Sequence, residues 1–298
     1  MKSSLTKYLL GLLIFGSNGI IASFIDMPSY EIVLMRAIFG VTLLFILFYM
    51  TGHRPTVMKH KRDLLFIALS GIAMAGDWLF LFEGYRQIGV GLASLLNYFG
   101  PVIVVALSPL FFNERLTPVK LISLLAALFG VVLISGDIMT GNANIWGITC
   151  GIASAFAYSA LVIADKKAEH VKGFENAIFQ LLFAAITVVV FFVFKHGFTI
   201  DIAAGDWLPI LCIGFINTGI GCFLYFSSIG HLPAQSVAIC GYLEPLSAVL
   251  MSAIFLHETL LPLQITGAAL IIAGALFSEC FSYIDPRRLL QTTHLKRL

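Results

Sequence analysis

Ten separate stretches of this 298-residue chain run for about twenty residues with scarcely a charge, and that feature decides the solvent in which it folds. They span residues 7–25, 30–50, 63–83, 91–112, 117–136, 145–166, 175–195, 206–229, 233–256 and 259–283. A helix of that length covers a hydrocarbon core of about 30 Å. Lipid offers a backbone no hydrogen-bond partners, and the stretches do not alternate as barrel strands do, so helices are the expected form. Only 11% of residues are charged and 59% are hydrophobic. With 18 Lys and Arg against 16 Asp and Glu, the net charge of +2 provides no field for a nucleic-acid backbone. The first stretch follows Lys2 and Lys7 but lacks a small-x-small cleavage site before Asp26, so a retained helix is expected and not a signal peptide.

Orientation follows from the positive charges, which short cytoplasmic loops retain. With the N-terminus inside, only Arg36, Arg86 and Lys195, three of the 18 Lys and Arg, fall away from the cytoplasmic face. Both termini are then cytoplasmic, in a multi-pass inner membrane, and the basic runs at 54–62 and 284–298 act as anchors on anionic lipid.

A shift of 144 residues superimposes the two halves. Glu31 falls on Glu175, Phe39 on Phe183, Tyr98 on Tyr242, Pro101 on Pro245, Ser108 on Ser252, Glu114 on Glu258, Pro118 on Pro262 and Gly130 on Gly274. Chance alignment of apolar helices would pair leucines but not prolines, glutamates and tyrosines at one offset. The expected fold is therefore an all-α integral membrane protein of ten transmembrane helices, arranged as two five-helix repeats at 1–140 and 141–283 with a tail at 284–298. Five is odd, so the second repeat enters the bilayer from the opposite side and the repeats are inverted. Inverted repeats provide two nearly equivalent arrangements, each open to one side, which is what a transporter requires.

The Arg36 position, the run NYFGPVIVVALSPLFFNERLT at 97–117 and its echo GYLEPLSAVLMSAIFLHETL at 241–260 carry a resemblance to a known family. The chain resembles ten-helix transporters of the drug/metabolite transporter superfamily, EamA type, along essentially its whole length. The resemblance implies carriage of amino acids, metabolites or drug-like compounds, often as export, and it identifies architecture more sharply than cargo.

Candidate cargo contacts come from depth, since each helical residue rises about 1.5 Å. Asn18, Tyr158, Asn217 and Glu244 lie near the middle of four different stretches. Glu244 reads either as a cargo-amine contact or site of coupled protonation, or as a hydrogen-bonded packing residue beside a kink; an acid at that depth is costly. Gly100, Pro101 and Pro245 are candidate hinges, because proline removes a donor and clashes with the previous turn. Asp77 and Arg36 share an outer level, so a structural ion pair is expected, with Asp77 facing the cavity alone as the other reading. Trp78, Tyr98 and Tyr242, with Tyr225, offer aromatic faces to an amine or planar cargo. Gly147, Gly151, Ala155 and Ser159 form one small-residue face of the sixth stretch, which reads as packing. Glu114 and Glu258 read as caps on the helix that follows each.

The five cysteines form no Cys-x-x-Cys pair and the histidines no His-Glu-x-x-His pattern, so no metal and no cofactor is expected. No Gly-x-x-x-x-Gly-Lys-Ser/Thr loop is present, which points to a gradient and not ATP as the driving force. The reading is a secondary-active transporter of a small-molecule metabolite, an amino acid or related amine, working by alternating access, with a lipid bilayer and no nucleic acid as its surroundings. The alternatives are a broad-specificity drug or cation efflux carrier and, less favoured, a passive pore or membrane enzyme.

Overall fold

The computed structural model describes residues 2–52, 55–112, 114, 116–134, 144–196, 200, 202–255 and 262–284, and every regular element among them is helical. Glu258 and the basic tail after residue 284 lie outside the described residues. In chain order the helices are α1 (Lys2–Phe15), α2 (Asn18–Ala22), α3 (Ser29–Met50), α4 (Lys61–Ile88), α5 (Val90–Asn97), α6 (Phe99–Phe112) and α7 (Pro118–Ile134). There follow α8 (Ile145–Lys167), α9 (Phe174–His196), α10 (Trp207–Leu211), a π-helical segment (Cys212–Ile220), α11 (Gly221–Ile229), α12 (Ala234–Gly241), α13 (Leu243–Phe255) and α14 (Pro262–Ile284).

Among the described residues, six helical stretches are long and apolar enough to cross a bilayer: Ser3–Ala22, Ser29–Met50, Lys61–Ile88, Ile145–Lys167, Phe174–Lys195 and Ala204–Ile229. Phe99–Phe112, Pro118–Gly130 and Ile265–Gly274 are shorter apolar helices. The exterior is as apolar as lipid requires: Leu110 is 76% exposed and Phe194 88%, whereas Arg36 is 1% exposed. Soluble proteins sort their residues the other way. The chain is a multi-pass membrane protein.

Three of the sequence stretches are broken rather than continuous, the first by a turn at Gly16 and Ser17 between α1 and α2. The fourth splits at Tyr98 into α5 and α6, and the ninth splits at Tyr242 into α12 and α13. Pro101 and Pro245 are the third residues of α6 and α13, where a missing amide leaves no helical bond unmade. The breaks thus sit just ahead of the prolines expected to cause them. They also meet each other: the Tyr242 hydroxyl donates to the Tyr98 carbonyl at 2.9 Å.

Close helix approach is bought with small residues. A Cβ on Gly130 of α7 would lie 2.6 Å from the Gly267 carbonyl oxygen in α14, and one on Gly274 of α14 would lie 2.8 Å from the Ser123 carbonyl oxygen in α7. The small-residue face of α8 packs as expected: Cβ atoms on Gly147 and Gly151 would strike Ile88 and Leu96, and Ser159 Oγ donates to the Gly100 carbonyl at 3.0 Å. Gly100 accordingly serves the contact of α6 with α8, since a Cβ there would sit 2.7 Å from the Tyr158 ring.

One end of the bundle is tied shut by polar contacts across elements distant in sequence. Glu114 accepts from the amides of Ala234 at 2.7 Å and Gln235 at 3.2 Å, and Gln235 Nε2 donates to Ser108 Oγ at 2.7 Å. Lys166 Nζ donates to the carbonyls of Ile229 and Leu232. Glu114 is therefore a cap, but of α12 in the other half of the chain and not of α7, the helix that follows it. Its carboxylate reaches amides that α12 leaves unpaired, as helix starts do.

Candidate functional site

Three helix irregularities converge on the interior. The first is the turn at Gly16 and Ser17 between α1 and α2; Asn217 Nδ2 donates to the Ile14 carbonyl at 2.9 Å and to Ser17 Oγ at 2.7 Å, satisfying groups the turn leaves over. The second is the π segment. Thr218 Oγ1 donates to the carbonyl of Ile213, five residues back, at 2.8 Å, so the side chain supports the wider turn. Gly214 and Gly219 let this segment press on Phe39 and Leu43 of α3. The third is the pair of breaks at Tyr98 and Tyr242.

Between them lies a cavity of about 640 Å³, counted out to its open mouth. Asn18, Arg36, Asp77, Trp78, Tyr158 and Glu244 all line it, together with Tyr85, Asn97, Cys222 and Tyr225. Six helices (α2, α3, α4, α5, α8 and α13) each bring a polar group, and α11 adds Cys222 and Tyr225. Phe82 and Tyr85 also line a second cleft with Asp26, Ser29 and Arg86, at the end remote from Glu114. The cavity therefore adjoins a cleft at one end, and the other end carries the Glu114 and Lys166 contacts.

The polar groups are held differently. Asp77 Oδ1 accepts from Asn97 Nδ2 at 2.8 Å, and Asn97 also donates to Ser154 Oγ at 3.1 Å. Arg36 Nε donates to Thr218 Oγ1 at 2.9 Å, and its guanidinium carbon lies 4.2 Å from the Trp78 ring centre and 5.2 Å from that of Phe82. The Tyr158 and Tyr225 hydroxyls are 3.2 Å apart. Among the described residues, the Glu244 carboxylate accepts no hydrogen bond, and the buried Asn18 Oδ1 has no partner. A buried polar atom left unpaired, as Asn18 Oδ1 is, is costly in an apolar surrounding, and the partly exposed Glu244 carboxylate opens onto the cavity, which makes these two the natural contacts for something that enters.

Several expectations change against this geometry. No ion pair joins Arg36 to Asp77 among the described residues; each is bonded to a neutral partner, Thr218 and Asn97 respectively. Both line the same cavity, but not within ion-pair distance of each other. Asn217 is absent from the lining because its amide nitrogen is spent on the turn in the first stretch. Tyr98 and Tyr242 also stand outside it, their rings 6.4 Å apart and the Tyr242 hydroxyl donating to the Tyr98 backbone carbonyl. Asn18, Tyr158, Glu244, Asp77 and Trp78 do come together. Thr218 and Asn97, which position the two charged groups, were not singled out. The Asn217–Thr218 pair between Gly214 and Gly219 was the one available signal for the former. Among the described residues no group of three or more His, Cys, Asp or Glu could hold a metal ion.

Known proteins share both the sequence pattern and this fold. The model of the EamA-like transporter family matches residues 3–136 and again 145–279. A protein of Bacillus subtilis called "Uncharacterized transporter YxxF" is 26% identical over 284 residues, 92% of this chain and 88% of the relative. The "Probable amino-acid metabolite efflux pump" of Salmonella typhimurium is 26% identical over 242 residues, 76% of this chain and 80% of the relative. The "Pseudopaline exporter CntI" of Pseudomonas aeruginosa is 22% identical over 250 residues, 84% of this chain and 86% of the relative. A solved crystal structure superposes with a TM-score of 0.76 at 18% identity, covering 93% of this chain and 98% of that one, a likeness of fold. With the family pattern running through both halves, the chain belongs to the EamA-like transporter family of the drug/metabolite transporter superfamily.

Proposed function

We propose that this protein is an inner-membrane secondary transporter that exports small polar metabolites, amino acids or related amines, by alternating access. Its ten crossing helices form two inverted repeats, 1–140 and 141–283, with the tail at 284–298 and both termini in the cytoplasm. Two separate matches to one family model support the repeat, as does the 144-residue offset. The contact of α7 with α14 supports it too, because the equivalent glycines Gly130 and Gly274 each face the other helix. Relatives named as an amino-acid metabolite efflux pump and an exporter support the direction and the cargo class.

The observation that carries the proposal is the cavity itself. Six helices supply it with one guanidinium, two carboxylates and neutral polar groups, and it adjoins a cleft at one end while hydrogen bonds tie the other. A closed end rich in lysine is cytoplasmic under the positive-inside rule, so the arrangement is the outward-facing one. Glu244 then offers one carboxylate for which a cargo amine and a proton compete. It does so in a chamber whose other ionisable walls are Arg36, Asp77, Tyr85, Tyr158, Cys222 and Tyr225. Competition at a single acceptor couples an inward proton step to an outward cargo step when the carrier changes sides only with that carboxylate occupied by cargo or proton. Movement of α5–α6 and α12–α13 about the breaks at Tyr98 and Tyr242 exchanges the open and closed ends.

Cys222 lines the cavity and reports on it directly. With the other four cysteines replaced, an impermeant maleimide should label Cys222 from both faces of the membrane, in right-side-out and inverted vesicles alike. Labelling confined to one face contradicts alternating access. A second reading, a broad-specificity cation efflux carrier, is favoured by one feature: among the described residues neither Asp77 nor Glu244 forms an ion pair with Arg36. Binding of quaternary amines as tight as that of any amino acid would select it.

A further inference from the structure

Arg36 is among the largest fully buried side chains of the protein, and its surroundings fix where its hydrogen-bonding edge points. Thr218 commits its own proton to the Ile213 carbonyl, so only its lone pairs face Arg36, and it holds Nε at 2.9 Å. The Trp78 ring supports the guanidinium face at 4.2 Å. The two terminal nitrogens remain. They carry four N–H donors in a planar fork, and none of the described residues accepts from them. Both carboxylates of the cavity are elsewhere engaged or directed: Asp77 bonds Asn97, and Glu244 makes no ion pair with Arg36.

A guanidinium at membrane depth is ordinarily neutralised by a partner, and a fork with free parallel donors fits a carboxylate in two-point fashion. We propose that Arg36 binds the carboxylate of the cargo, with Thr218 and Trp78 as its positioning residues, while Glu244 receives the cargo's amine. The cargo is then a zwitterion bearing both groups. A plain amine would use only half of the site, and a plain organic acid would face two carboxylates. This assignment rests on the proposed cargo cavity and narrows its substrate class.

The test is binding to the purified full-length protein in detergent, measured by thermal shift and titration. The probes are the twenty amino acids together with two matched sets: phenylalanine, phenethylamine and 3-phenylpropionate, and leucine, isoamylamine and 4-methylpentanoate. One or more amino acids should bind, each tighter than the amine left when its carboxylate is removed, which is added to the probes wherever the two sets lack it, by roughly 10- to 100-fold, the range expected for a hydrogen-bonded charge. Arg36→Gln should erase that ratio while leaving amine affinity within about twofold, since the amine contact lies elsewhere. Thr218→Val keeps the charge and shape and removes both the acceptor to Arg36 and the donor to the Ile213 carbonyl, so it should reduce the ratio without abolishing it, with Thr218→Ser, which keeps both bonds, as its control, and it serves if Arg36→Gln fails to fold. Glu244→Gln should weaken amino acids and amines together.

Amines binding as tightly as amino acids, or a ratio unchanged in both Arg36→Gln and Thr218→Val, overturns the carboxylate assignment while the cavity remains the cargo site. If no amino acid binds, the assignment fails as well. If, in addition, counterflow of the amines is unaffected by Glu244→Gln, the cavity reading itself falls.

Discussion

Replacing Glu114 by Gln tests whether the closed end is held by that side chain. The carboxylate takes two amides at the start of α12, Ala234 at 2.7 Å and Gln235 at 3.2 Å, of which the first is the shorter and stronger. A hydrogen bond to a charged group contributes about 1.5 to 3 kcal/mol, and the negative charge at a helix start adds roughly 0.3 to 1 kcal/mol. Glutamine keeps one acceptor oxygen, so the loss should be about 2 kcal/mol, which at 1.4 kcal/mol per decade is roughly a thirtyfold change in an opening equilibrium. Hydrogen exchange of the α12 amides reads the latch itself and should accelerate by that factor at Ala234 and Gln235. Maleimide labelling of Cys222 from the Glu114 side should rise in parallel, because the labelling rate follows the open population. An exchange rate that changes less than about twofold would show that Glu114 does not hold this end. Faster exchange with unchanged labelling would reduce it to a cap with no part in gating.

Three further outcomes follow from single contacts. Tyr242→Phe removes the bond to the Tyr98 carbonyl and should lower stability by about 1 kcal/mol, seen as an earlier thermal midpoint; an unchanged midpoint argues that the two breaks do not depend on each other. Gly130→Ala places a Cβ 2.6 Å from the Gly267 carbonyl oxygen and should cost about 1 to 3 kcal/mol by forcing α7 from α14, whereas Gly76→Ala, whose nearest neighbour would be 3.8 Å away, should cost far less. Equal losses in fluorescence-detected size exclusion would deny the close approach. Glu244→Gln removes the carboxylate proposed to receive cargo and proton and should flatten the pH profile of transport with folding intact; an unaltered profile takes Glu244 out of the coupling.

What the sequence made readable was depth, and what it hid was rotation about each helix axis. Counting residues from the start of a stretch placed Asn18, Tyr158 and Glu244 at one level, and they do share a cavity. The same count placed Asn217 with them, yet the π segment alters the angular step per residue, and Asn217 points to the turn after Phe15 while its neighbour Thr218 meets Arg36. Arg36 and Asp77 share the cavity as their common level predicts, yet each is held by a neutral partner, Thr218 and Asn97, and depth alone does not distinguish an ion pair from that arrangement. The 144-residue offset made the paired breaks readable, because tyrosine and proline recur at both, but not the bond that joins them. The offset also separates two kinds of residue. Tyr98, Pro101 and Glu114 have identical counterparts, whereas Arg36 corresponds to Gln180, Asn97 to Gly241 and Glu244 to Gly100. The repeated residues build breaks and caps, while these polar groups lining the cavity belong to one half only. Divergence within the repeat was thus the signal for Asn97, which escaped notice among the residues of the shared run.

Counterflow in proteoliposomes addresses the carrier directly. Vesicles preloaded with an unlabelled amino acid that binds the purified protein should take up the radiolabelled form faster, and to a transient overshoot, than empty vesicles, and Glu244→Gln should suppress the effect. Uptake that rises linearly with concentration and is indifferent to preloading would mark a passive pore and contradict a cavity that serves the two compartments in turn.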